Sequence, residues 1–137
     1  MIDAPPLSLR HLALWIDPAA FEATVRFYRD GLGMRLHWQP DDDNVYLAGA
    51  GDNLALHRAV APRRVSQEHG ALDHLGFFVA DADAVRTWHE RLVATSATFD
   101  ITIAQPVRTH RDGATSFYLR DPAGNLVQIL HVPDAPI

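Results

Sequence analysis

The sequence contains no cysteine. Disulfides, thiolate metal ligands and cysteine nucleophiles are therefore excluded, and cysteine usage leaves the redox compartment undetermined. Lysine is missing as well: all twelve basic residues are arginines, which removes Schiff-base chemistry on a lysine. No apolar run approaches the roughly 18 residues that cross a bilayer, and the first residues lack the pattern of a secretory signal. A cytoplasmic location is the expectation. Positive charge is in deficit, with a net charge of −5 and no basic run, which argues against a nucleic-acid surface. What remains is ordinary for a water-exposed globular chain: 137 residues, 47% apolar and 21% charged, enough for one compact domain with a sizeable core. Eight histidines are the chemical hint in the composition.

The chain reads as one pattern written twice. Ser8–Ile16 alternates as a strand, with His11, Ala13 and Trp15 on one face. Asp17-Pro18 is a helix start, an N-cap acid followed by proline at the first helical position. The helix is expected to run to about Asp30, with Phe21, Val25 and Tyr28 or Leu32 on its apolar stripe and Gly31 or Gly33 at its end. Strands follow at Met34–Trp38, Val45–Ala48 and Asn53–Arg58, separated by the turns Asp41–Asn44 and Gly49–Asp52. The acidic turn lacks the spacing of a calcium loop. Ala59–Gly70 has no periodicity and reads as a linker. Then Ala71–Ala80 is a strand with a histidine near its start, and Asp81 caps a helix carrying Val85, Trp88 and Leu92. Further strands are expected at Ile101–Val107, Ala114–Arg120 and Leu126–His131. His11 and His74 stand 63 positions apart and the capping acids Asp17 and Asp81 stand 64 apart, an internal repeat. The fold class is α+β: one domain of two βαβββ modules, about 8–58 and 71–132. Their sheets are expected to form a curved cup with helices outside.

The stretch from Thr109 to His131 holds the densest chemistry. Asp121-Pro122-Ala123-Gly124 is a β-turn signal between two strands. A hairpin there sets Tyr118 and Gln128 on adjacent strands, with His110 entering from the preceding loop. The first and last strands of both modules then present His11, His74, Gln128 and His57 to a common cavity.

These features resemble the vicinal oxygen chelate superfamily, which includes glyoxalase I, fosfomycin-resistance transferases, bleomycin-binding proteins and extradiol dioxygenases. The resemblance runs from Ser8 to Val132 and rests on D-H-L-G-F-F-V-A-D at the opening of module two and on D-P-A-G-N near the end. Within the superfamily the sequence is most similar to the extradiol dioxygenase pattern, matched by His110, Phe117-Tyr118 and Asp121–Gly124. That resemblance implies a divalent metal, Fe(II) first and Mn, Ni or Zn otherwise, held by His11, His74 and Gln128. It implies catalytic roles for His57, His110 and Tyr118, with His57 moving protons. The pattern has Glu where this chain has Gln128. An amide oxygen brings no negative charge, so weaker metal binding and harder O₂ activation are expected. A four-ligand glyoxalase-type site lacks both acids, because the slot equivalent to Gln128 in module one falls on Ala55.

Plainer roles remain open beside these. His11 and His74 also read as packed strand histidines, Gln128 as a buried amide bonded to backbone, and Tyr118 as a core aromatic. Trp15 and Phe78 read as cavity wall or as core. His37, His69, His89 and His131 read as surface or edge residues, and loops Ala59–Gly70 and Thr95–Asp100 as cavity walls. The function expected is an extradiol-dioxygenase-like enzyme acting on a catechol-like or other vicinal-oxygen small molecule. A glyoxalase-like lyase or isomerase and a metal-free drug-binding protein are the alternatives. A homodimer is expected, with no nucleic-acid or membrane partner.

Overall fold

The structure, a computed structural model, describes residues 3–63 and 70–135. His69 and half of the expected linker lie outside the described residues.

Module one begins with β1 (His11–Ile16), whose Leu14 and Ile16 point inward while His11 and Trp15 are exposed. The carboxylate of Asp17 then accepts the Ala19 N–H at 2.9 Å and caps a 3₁₀ turn at Pro18–Ala20. The helix expected to reach Asp30 is compound. Helix α1 (Phe21–Arg26) passes into a π-helical turn at Phe27–Gly31, closed by Leu32 N–H to Phe27 C=O at 2.9 Å. The extra residue in that turn rotates Phe27 and Tyr28 together into the interior, where both have no exposed surface. Gly31 fits closely there, since a Cβ would stand 3.0 Å from the Phe27 ring and 3.3 Å from Phe99 and would push those rings aside. Three strands follow: β2 (Arg35–Asp41), β3 (Asn44–Ala48) and β4 (Asn53–Arg58).

Module two repeats the plan with β5 (Leu75–Phe78), α2 (Ala82–Ala94), β6 (Thr102–Thr109), β7 (Thr115–Arg120) and β8 (Leu126–His131). Asp81 caps α2 through Ala84 N–H at 2.7 Å, as its position predicts. The segment read as a wall loop contains a short helix, α3 (Ser96–Phe99), that packs on module one. Phe99 borders Gly31, and the Thr98 carbonyl accepts from Arg26. It lines neither of the cavities described below.

The modules form two separate four-stranded mixed sheets, β1-β4-β3-β2 and β5-β8-β7-β6, neither closed into a barrel. In each, the first strand runs parallel to the last and the other pairings are antiparallel. One face of each sheet is covered, and the buried apolar residues of both modules form one cluster, from Leu14 and Leu56 to Phe117 and Val127. His89, read as a surface or edge residue, turns partly inward from helix α2. It is half-buried, edge-on to the Phe117 ring with centroids 5.1 Å apart.

The D-P-A-G-N stretch explains itself through Asp121, whose carboxylate is buried. It accepts the Ala123 N–H at 3.0 Å, the Asn125 N–H at 2.9 Å and the Asn125 side chain at 3.2 Å. Gly124 closes the turn at a φ of 92°, which favours glycine. The fourth donor is the Tyr28 hydroxyl of module one, at 2.7 Å. Burial raises the Asp121 carboxyl above its ordinary value, against the pull of those four donors. Burial first, and then the Asp121 charge, raise Tyr28 well above its ordinary value. This buried bond couples the modules. Among the described residues no helix is long and apolar enough to cross a membrane.

Candidate functional site

Strand register puts His11 and His57 on one face of the first sheet and Tyr118 and Gln128 on the matching face of the second, while His74 directly precedes β5 and His110 directly follows β6. In module one, His11 pairs with Asn53, Ala13 with Ala55 and Trp15 with His57, while Asn44 lies opposite His57 and Tyr46 opposite Ala55. In module two, Gly76 pairs with Gln128, Gln128 with Tyr118, and Ser116 with Leu130. The two patterns superpose: Ala13 and Ala55 stand where Gly76 and Gln128 stand, and Tyr46 is the counterpart of Tyr118. The placement of the empty slot at Ala55 is thus the one the repeat predicts. His74, Tyr118, Gln128 and His110 belong to module two, and His11 and His57 to the matching face of module one.

The histidines on these faces share a bonding pattern that their spacing alone does not reveal. His11 Nδ1 lies 2.8 Å from Asn53 Oδ1, His57 Nδ1 lies 2.6 Å from Asn44 Oδ1, and His74 Nδ1 lies 2.6 Å from Asp73 Oδ2. An oxygen acceptor at Nδ1 requires the ring proton there, so each neutral ring presents the Nε2 lone pair. The Asn44 amide is itself oriented, since its Nδ2 donates to both oxygens of Asp41 at 2.8 and 3.1 Å. The Asp43 N–H, then the Asn44 amide, hold the Asp41 carboxyl below its ordinary value.

On module two, Gln128 is buried and its Nε2 donates to Ser116 Oγ at 3.0 Å. The same hydroxyl lies 2.7 Å from His110 Nε2. Oγ accepts from the amide and can either donate to or accept from the imidazole, so it links Gln128 to His110. Ser116 has no exposed surface and serves as a connector. The Gln128 Oε1 is turned toward β5, where a Cβ on Gly76 would lie 3.7 Å away. Tyr118 is half-buried and meets His74 edge-on, with ring centroids 5.5 Å apart. Beside this group, under the tip of the β6–β7 hairpin, a cavity of about 630 Å³ is lined by Arg108, His110, Arg111, Asp112, Tyr118 and Gln128. A second cavity of about 1080 Å³ lies at the module junction, among Leu9, Gly33, Ala50, Phe78 and Trp88. It contains none of the candidate residues.

The face of module one carries a row of rings that the sequence reading did not single out. Trp15, His57, Tyr46 and Trp38 follow one another across all four strands, with centroid separations of 5.5, 5.7 and 5.0 Å. Trp15, Trp38 and Phe78 are 58%, 55% and 52% exposed, which removes the core reading of Trp15 and Phe78.

Whether a divalent metal fits is decided by the donors. Imidazoles fixed through Nδ1 and free at Nε2 suit ligation, and a carboxylate behind His74 is the partner a metal-binding histidine commonly has. The third donor is neutral. No three His, Asp or Glu side chains gather as a metal group among the described residues. His11 and His74 stand on different sheets, so a shared metal draws on both modules.

Two similar βαβββ modules, each a four-stranded mixed sheet, define the class of fold. Residues 9–129 match the glyoxalase/bleomycin resistance protein/dioxygenase superfamily, and the chain belongs to it. Among solved structures it is similar to a lactoylglutathione lyase from Agrobacterium tumefaciens, at 25% identity over 93% of this chain and 96% of that one, with a TM-score of 0.71. It is also similar to a glyoxalase-related enzyme from Fulvimarina pelagi, at 23% identity, covering 95% and 91%, with a TM-score of 0.73. A glyoxalase/bleomycin resistance protein/dioxygenase from Alicyclobacillus acidocaldarius matches at 22% identity, covering 93% and 92%, with a TM-score of 0.67. No match is found among curated proteins.

Proposed function

We propose that the chain is a metal-dependent enzyme acting on a small molecule with two adjacent oxygen functions. His11, His74 and Gln128 are the metal ligands, Tyr118 and His110 orient the substrate, and His57 moves protons. The observation that carries this reading is the shared orientation of His11, His57 and His74, each with Nδ1 held by an oxygen and Nε2 presented. Two imidazoles and an amide oxygen leave the charge of a divalent ion uncompensated, so the chemistry supplied when the metal is bound is Lewis-acid polarisation of substrate oxygens. Isomerase or lyase chemistry fits that donor set better than O₂ activation. Ring cleavage with Fe(II), the reaction expected from the sequence, is the second reading. It is favoured by Tyr118, which meets His74 edge-on and pairs with Gln128 on the adjacent strand. His57, with Asn44 and the Asp41 carboxylate behind it, is suited to take a proton at Nε2.

Metal content separates these readings. Protein purified without chelators, and again after anaerobic Fe(II) loading, is expected to hold about one metal per chain, lost in His74→Ala. Stoichiometric Zn, Ni, Co or Mn supports isomerase or lyase chemistry, and iron supports ring cleavage. No metal in either preparation overturns the proposal in favour of a ligand-sequestering protein. A homodimer fits the half-exposed Trp15, Leu36, Trp38 and Phe78. Light scattering on the eluting protein tests it.

A further inference from the structure

Comparing the two hairpins that close the modules isolates a feature that the repeat does not account for. In module one, Asp41 pairs with Asn44 and the turn between β2 and β3 is only Asp42-Asp43. In module two, the last pair is Thr109 with Thr115, and a five-residue loop, His110–Ala114, joins β6 to β7. Gly113 completes that loop at a φ of 87°. The superposition that matches Tyr46 to Tyr118 puts Ser116 at the place of Asn44. Arg108, the cross-strand partner of Ser116, then falls at the place of Asp41. One hairpin tip is acidic, Asp41-Asp42-Asp43, and its counterpart is longer and carries Arg108, His110 and Arg111.

The extension forms the rim of the 630 Å³ cavity, whose six lining residues are all polar. Arg108 and Arg111 are exposed and make no ion pair among the described residues. The one carboxylate in the lining, Asp112, accepts the Ala114 N–H at 3.0 Å and so shapes the loop. Two uncommitted guanidiniums in a chain of net charge −5 make a local positive site, and guanidinium forks match carboxylate and phosphate oxygens. At the cavity floor are Tyr118 and Gln128, residues of the proposed reaction site.

We infer that this cavity binds the anionic end of the substrate, a carboxylate or phosphate held by Arg108 and Arg111, which places the adjacent oxygen functions over Tyr118 and Gln128. The substrate is thus a small organic acid or phosphate ester. The assignment rests on the proposed function only for what happens at the inner end. Anion capture itself needs no metal.

The test uses full-length, metal-free protein at low ionic strength, with inorganic phosphate and benzoate as probes and benzyl alcohol as the uncharged control. Binding is followed by titration calorimetry and by amide NMR shifts of residues 108–118. The expected result is saturable binding of at least one anion, weakened about tenfold by Arg108→Gln and by Arg111→Gln and further by the pair, and weakened by added salt. Both side chains are exposed, so thermal midpoints should stay unchanged. Binding that survives the double variant, or no anion binding below tens of millimolar, overturns the inference. So does salt-sensitive self-association without anion binding, which would put the acidic hairpin tip of a second copy in the cavity. Metal content decides the proposed function separately, so either can fail while the other stands.

Discussion

Replacing Tyr28 by Phe removes one oxygen and with it the buried bond between the modules. In the wild type that hydroxyl donates to Asp121 Oδ2 at 2.7 Å, and among the described residues the other donor to the same oxygen is Asn125 Nδ2 at 3.2 Å. Losing a buried hydrogen bond to a carboxylate costs about 1.5–3 kcal/mol. For a domain of this size 1 kcal/mol corresponds to about 3.5 °C, so the midpoint should fall by about 5–10 °C. A second signature separates this cause from general damage. Tyr28 is held neutral well above its ordinary value, whereas in the unfolded chain it ionises near pH 10. Its contribution is therefore full below pH 10 and declines as pH rises beyond it, amounting to about 1.4 kcal/mol lost by pH 11. The absence of lysine and cysteine leaves this window free of their titrations. Urea unfolding followed by circular dichroism at pH 8 and pH 11 should show the wild type losing about that much more stability than Tyr28→Phe. Equal losses in both proteins would refute the account of Tyr28, even if the variant is less stable at pH 8.

Gln128→Glu restores a carboxylate at the proposed third ligand and should tighten divalent metal binding by about tenfold or more, measured by competition with a chromogenic chelator. Unchanged affinity would remove residue 128 from the ligand set. Phe117→Ala empties a fully buried position against His89 and should cost about 3–5 kcal/mol, read in thermal unfolding. A loss below about 1 kcal/mol would mean that helix α2 closes over the gap.

The sequence showed the repeat because its periodicities are local: capping acids, alternating strands and turn residues each announce themselves within a few positions. Strand β4 and the cap of α2 were legible to the residue. The π-helical turn was not, since nothing in Phe27–Gly31 distinguishes five residues of wider helix from ordinary helix until Phe99 is packed against Gly31. The ring contact of His89 was hidden for the same reason, because its neighbour Phe117 is 28 positions away in the chain. On the site, register was recoverable and so were the faces of His11, His57, His74 and Gln128. Two of the bonds that fix the rings came from Asn53 and Asn44, ordinary polar residues whose relevance depends on strand pairing, whereas Asp73 is the chain neighbour of His74. Arg108 has no distinguishing local signal, and only superposing the two hairpins gave it a counterpart of opposite charge.

The row of rings on module one has an optical consequence. Two of the three tryptophans, Trp15 and Trp38, stand in that row half open to water, and Trp15 touches the imidazole of His57. A protonated imidazole quenches a neighbouring indole, and a molecule lying on the row shields both indoles from water. The emission of these two tryptophans would therefore respond, without any label attached, to a molecule settling on the row.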